Sequence, residues 1–157
     1  MTTPVTLSAS RSMPVSVEAA YDAVLPMPLP QIFSRRFAAL PAIREVRDQD
    51  GEWGTVGQTR TIVLADRGTM RETLTSVTLG ADFGYHLEPA TGALRPLVRD
   101  VDGRWSFAPA GTGVEVTWRW TLHPTAGGRL VMPALGRMWQ GYARQALEEI
   151  EKALLGR

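Results

Sequence analysis

Between Val114 and Leu122, apolar and polar residues alternate over nine positions. A period of two marks a strand with one dry face and one wet face. The dry face carries Trp118 and Trp120. Both are large enough to fill a deep core or wall a cavity, and each has one N–H that needs a partner. Alternation over residues 5–13 predicts the first strand, ended by Pro14. Ser16 suits the N-cap of a short helix reaching Leu25. Pro26, Pro28 and Pro30 stop that helix, and Pro30 fits the first turn of a second one running to about Ala39.

Further strands are predicted over residues 43–47, 58–64, 70–79, 82–88 and 97–108, the last with a bulge at Asp102-Gly103. Residues 51–57 form a glycine-rich turn, with glycines suited to a tight bend and to a mobile rim. After Pro124 the period changes. Leu135, Met138, Trp139, Tyr142, Ala146, Ile150 and Ala153 recur every three or four residues and predict a long helix with one apolar stripe. Glu148, Glu149 and Glu151 sit near its C-terminal end, where the helix dipole disfavours acids. Gly136 and Gly141 either let another element approach closely or kink the helix. A sheet with one apolar face needs a cover, and this helix is long enough to provide it.

Strand parity locates the candidate chemistry. With Asp66-Arg67-Gly68 as a three-residue loop, Ala65 faces Thr69 and Ile62 faces Glu72. Arg60, Ile62, Leu64, Met70, Glu72 and Leu74 then share a mostly apolar face that should point inward, with Arg60 and Glu72 as diagonal neighbours. A turn at Ala110-Gly111 puts Phe107 opposite Val114 and Trp105 opposite Val116. Phe83, Tyr85 and Leu87 alternate with His86 and Glu88.

Composition narrows the class. The 157 residues suit one domain, read here as residues 1–157. A net charge of +1 gives no electrostatic footprint for nucleic acid or for an anionic membrane. The chain has no cysteine, which excludes disulfides and thiol nucleophiles and fits a cytoplasmic protein. No apolar run is long enough for stable membrane insertion. His86 and His123 show no metal-ligand spacing, so no metal and no cofactor are expected. Neither a Gly-x-Ser-x-Gly elbow nor a phosphate loop is present.

Several local signatures occur in a characteristic order: Leu40-Pro41-Ala42-Ile43, Gly57-Gln58-Thr59-Arg60, Glu72, Phe83-Gly84-Tyr85, Trp105-Ser106-Phe107, Gly113 to Trp118, and the helix from Trp139 to Leu155. Together they resemble the START-like superfamily, specifically its polyketide cyclase/dehydrase-like SRPBCC group. The resemblance implies an α+β helix-grip fold, with a curved antiparallel sheet of about six to seven strands wrapped around the long C-terminal helix. It also implies a cavity between them for an apolar small molecule.

The residues expected to line that cavity are Arg60, Glu72, Tyr85, Trp105, Phe107, Trp118, Trp139 and Tyr142. Trp120 is read as core. Arg60 with Glu72 is first a structural ion pair; its competing reading is a polar anchor for a ligand. Arg60, Glu72 and Tyr85 are also the candidates for catalysis. The expected function is binding of a lipid, polyketide or similar molecule by a monomer or homodimer. The alternatives are an aromatase/cyclase or dehydratase-type enzyme, and a regulatory protein-interaction module.

Overall fold

The computed structural model describes residues 3–156. Seven strands form one antiparallel sheet: β1 (Val5–Met13), β2 (Ile43–Arg47), β3 (Thr59–Leu64), β4 (Thr69–Thr78), β5 (Asp82–Thr91), β6 (Val98–Ala110) and β7 (Gly113–Pro124). Their spatial order is β1-β7-β6-β5-β4-β3-β2, so the first strand closes the sheet beside the last. Two short helices, α1 (Val17–Val24) and α2 (Leu29–Ile32), follow β1. A 3₁₀ turn, Gly128–Val131, leads into the long helix α3 (Met132–Leu154).

The tryptophan strand keeps its alternation throughout: Val114, Val116, Trp118, Trp120 and Leu122 are all buried. On α3, Leu135, Trp139, Tyr142, Ala143, Ala146, Leu147 and Ile150 are buried and face this wall. Ser16 caps α1, its hydroxyl accepting from the Ala19 N–H at 3.1 Å. Two of the acids at the end of α3 have cationic partners. Glu151 accepts from Arg11 of β1 at 2.8 Å, and Glu149 lies 3.2 Å from Arg35 and from Lys152.

Four local expectations are corrected. The second helix stops at Ile32 rather than near Ala39; beyond it Phe37 and Leu40 exchange two 2.9 Å backbone hydrogen bonds around Ala38, whose φ is +51°. Pro41 disfavours helical backbone at Leu40, which favours that turn. β6 runs through Asp102-Gly103 without a bulge, and its register shifts between Val98 and Asp100 instead. The two hairpins pair differently from the parity model. Arg60 lies directly opposite Glu72, and Trp105 directly opposite Trp118. In the β3–β4 loop it is Arg67, at φ +75°, that adopts the left-handed conformation.

Candidate functional site

The inner face of the sheet and the α3 side enclose two adjoining apolar cavities. The inner one, about 60 Å³, is lined by Arg60, Glu72, Tyr85, Trp105, Trp118 and Trp120 among mostly aliphatic neighbours. The outer one, about 130 Å³, is bounded by the 39–41 and 93–97 loops, Leu135, Met138 and Trp139. Leu64, Met70, Trp120 and Tyr142 border both. The outer cavity is close to the roughly 150 Å³ apolar void known to accept benzene.

Arg60 and Glu72 are the buried charges among the described residues, 4% and 3% exposed. Cross-strand pairing brings Arg60 Nε to 2.5 Å from Glu72 Oε1. A buried charge without a partner is very costly, so this pairing is a condition of placing either residue here. Arg60 Nη1 also donates to Gln49 at 3.1 Å, and the guanidinium stacks 3.8 Å above the Trp53 ring. Burial pushes the Glu72 carboxyl above the usual carboxylate range, and the Arg60 guanidinium holds back part of that rise.

Trp53 and Gln49 were not anticipated. Trp53 belongs to the glycine-rich turn, where it is buried rather than part of an open rim. The Gln58 side chain pins that turn. It accepts from the Gly54 and Thr55 N–H groups at 2.8 and 2.6 Å, and donates to the Asp50 and Glu52 carbonyls at 3.0 Å. The available signal was a tryptophan in a turn made mostly of glycine and polar residues.

Tyr85, Gly103 and Trp120 are consecutive partners across β5, β6 and β7. The Tyr85 ring lies over Gly103 so closely that a Cβ there would overlap it. Its hydroxyl accepts from Trp118 Nε1 at 2.7 Å and from Trp120 Nε1 at 3.0 Å. Gly103 is therefore the gap that lets the phenol cross β6 and join the strands on either side. Trp118 stacks on Trp105 at 5.3 Å and on Trp139 at 4.7 Å between centroids. Trp139 links this cluster to the outer cavity. Tyr142 donates its hydroxyl proton to the Pro41 carbonyl at 2.8 Å, tying α3 to the 33–41 loop. Burial raises the pKa of both Tyr85 and Tyr142.

Of the expected lining residues, the structure gathers Arg60, Glu72, Tyr85, Trp105, Trp118 and Tyr142 around the inner cavity, and Trp139 with Tyr142 around the outer one. Phe107 lines neither; it packs edge-on against Tyr21 of α1 at 5.5 Å and stacks with Phe83 at 6.1 Å. Trp120, read as core, lines both. His86 and His123 face away from the cavities and contact Asp102 and Asp100 at 2.8 and 2.5 Å. Among the described residues, no group of three metal-ligating side chains gathers, and no helix is long and apolar enough to cross a membrane.

An antiparallel sheet gripping a C-terminal helix over an apolar cavity defines the START-like, helix-grip class of proteins. Within that class, the family model for polyketide cyclase/dehydrase and lipid transport proteins matches residues 4–154, and the chain belongs to that family. A search of curated proteins finds no significant match.

Solved structures share the fold at low identity. Ara h 8.0201 has a TM-score of 0.74 and 14% identity, covering 99% of this chain and 100% of its own. The major latex-like protein 151 of Panax ginseng has a TM-score of 0.71 and 13% identity, covering 96% and 97%. A protein from Mesorhizobium loti has a TM-score of 0.69 and 15% identity, covering 98% of each.

Proposed function

We propose that the chain binds an apolar or amphipathic small molecule between the sheet and α3, and that it acts by binding rather than by catalysis. The observation that supports this best is the composition of the inner cavity wall. It is almost wholly apolar, with a few polar groups fixed on strands, which is how small-molecule sites are usually built. Arg60 and Glu72 supply one polar locus and Tyr85 the other. The ion pair also argues against a free general base, since Glu72 Oε1 is already engaged by Arg60. Native mass spectrometry of the purified protein, before and after organic extraction, tests the reading. A stoichiometric small molecule, with affinity for it reduced in Trp118→Ala, is the expected result. Full retention in that variant would mean the ligand sits elsewhere.

A second reading, a cyclase or dehydratase, draws on one observation: the raised pKa of Glu72 in an apolar cavity, as suits a general acid or base. It predicts that Glu72→Gln abolishes turnover of a carbonyl substrate while leaving its binding intact. Loss of binding and turnover together would return Glu72 to a purely binding or structural role.

A further inference from the structure

A phenol oxygen can accept two hydrogen bonds and donate one. At Tyr85 both acceptor positions are taken, by Trp118 Nε1 at 2.7 Å and Trp120 Nε1 at 3.0 Å. An indole nitrogen only donates, so neither tryptophan can take the phenolic proton. That proton is left to point elsewhere, and no acceptor among the described residues receives it. Glu72, whose charge acts on Tyr85, has its Oε1 engaged by Arg60. The adjoining wall has the same sign of need. Trp139, fully buried and lining the outer cavity, has an Nε1 with no hydrogen-bond partner among the described residues.

We infer that Tyr85 is a one-way donor whose direction is set by Trp118, Trp120 and the gap at Gly103, and that it selects ligands bearing a carbonyl-type acceptor on an apolar frame. This rests on the proposed use of the cavity as a ligand site. It deepens that proposal, because an apolar cavity alone would favour the hydrocarbon over a ketone of the same shape, whose carbonyl would lose its water hydrogen bonds unreplaced. Buried polar groups that go unpaired discriminate far more strongly than apolar contacts do. The raised pKa of Tyr85 keeps its proton in place throughout the neutral range, so the preference should not change there with pH. Trp118, Trp120 and Gly103 act through Tyr85 and are positioning residues.

The test compares acetophenone with ethylbenzene, two probes of nearly one shape that differ in the carbonyl. Binding is followed by calorimetry, and the bound ketone by the infrared stretch of its isotope-labelled carbonyl. Wild type should bind the ketone at least as tightly as the hydrocarbon, its hydrogen bond offsetting the desolvation of the carbonyl, and should shift its stretch to lower frequency. In Tyr85→Phe the ketone should lose about tenfold in affinity and the infrared shift, while ethylbenzene changes less than twofold. Trp120→Phe keeps a ring on the wall but frees one acceptor position of the phenol. It should reduce the ketone preference about threefold, and it carries the test if Tyr85→Phe does not fold. No infrared shift of the ketone in wild type, or a relative affinity for the two probes unchanged in both variants, overturns the inference while leaving the cavity reading intact. Failure of both probes to bind removes the cavity reading and this inference together.

Discussion

Gly103→Ala should be among the most damaging single-methyl additions available to this protein. The new Cβ would overlap Cζ, Cε2 and the hydroxyl of Tyr85. Glycine to alanine inside a strand would otherwise gain about 0.5–1 kcal/mol. Here the ring must move, and forced repacking of a tight core costs about 1–3 kcal/mol. Moving the ring also breaks the hydrogen bonds to Trp118 and Trp120, and each buried N–H left unpaired costs about 1–3 kcal/mol. The net loss should be about 3 kcal/mol, a large share of the 5–15 kcal/mol typical of a domain. For a chain of this length that lowers Tm by about 10 °C. Urea denaturation of a double-mutant cycle with Tyr85→Leu isolates the effect. With the phenol gone, alanine at 103 should be neutral or slightly stabilising, giving a coupling of about 3 kcal/mol. A cost under about 1 kcal/mol in wild type, or the same cost in both backgrounds, would refute the role assigned to Gly103.

Three further outcomes follow from the same structure. Arg60→Leu leaves Glu72 buried without its counter-ion and should cost about 3–5 kcal/mol, whereas Arg60→Leu with Glu72→Leu should recover most of the loss. A double variant no more stable in urea than the single one would contradict the pairing argument. Because the folded-state pKa of Glu72 is raised, the native state holds its proton to higher pH than the unfolded chain does. Its contribution is therefore full below the unfolded value and is lost as pH rises through the folded one. The stability difference between wild type and Glu72→Gln should shift against wild type across that window; a shift in wild type's favour would reverse the sign. Ser16→Ala removes the cap of α1 and should cost about 1 kcal/mol by chemical denaturation, with no measurable effect counting against the cap.

Hydrophobic period made most of this fold legible. Alternation of two located the strands, and recurrence every three or four residues located α3, because each face had only one side to bury. Register was less accessible. In both hairpins the expected pairing was displaced by two residues, since the turns sit slightly differently from where the glycines suggested. The β6–β7 turn is the two residues between Ala110 and Gly113, and the left-handed residue before Gly68 is an arginine. A slip of two leaves every side chain on its own face, so Arg60, Glu72, Trp105 and Trp118 still point inward. What changes is the partner: a diagonal ion pair becomes a direct one, and Trp105 gains Trp118 as its stacking neighbour.

The candidate site was legible where its polar groups lie on strands. A charged residue at an apolar parity position stands out, which is why Arg60 and Glu72 were visible. Trp53 and Gln49 reach Arg60 from outside the strand pattern, and the turn carrying Trp53 takes its shape from the Gln58 side chain. Nothing in a local period reports such a bond. Gly103 shows the same limit from another direction. Glycine within a strand marks either a bulge or a close approach, and only the position of the Tyr85 ring decides between them.

The division between rigid and adaptable walls bears on what the proposed site would accept. Its fixed polar groups stand on β3, β4, β5 and β7, held by the cross-strand pairing of the sheet. The opposite wall is built differently. There the 33–41 segment is fastened to α3 through side chains: the Tyr142–Pro41 hydrogen bond, the Arg35–Glu149 ion pair, Phe33 stacked on Tyr142, and the Phe37 ring, which occupies the space a Cβ at Gly141 would fill. Neither cavity approaches the 300–1,000 Å³ common for drug-sized ligands, so anything larger than a small ring system requires one wall to yield. Separating the sheet would break many backbone hydrogen bonds at once, whereas lifting the loop costs the Tyr142–Pro41 hydrogen bond, the Arg35–Glu149 ion pair and the ring contacts of Phe33 and Phe37. On the proposed reading, selection by hydrogen bonding therefore belongs to the sheet, and tolerance of ligand size to the helix and its loop. Gly141→Ala should displace Phe37 and loosen that loop, admitting larger ketones while leaving the preference for a carbonyl unchanged. A variant that gained size tolerance only by losing that preference would show that the two walls are not independent.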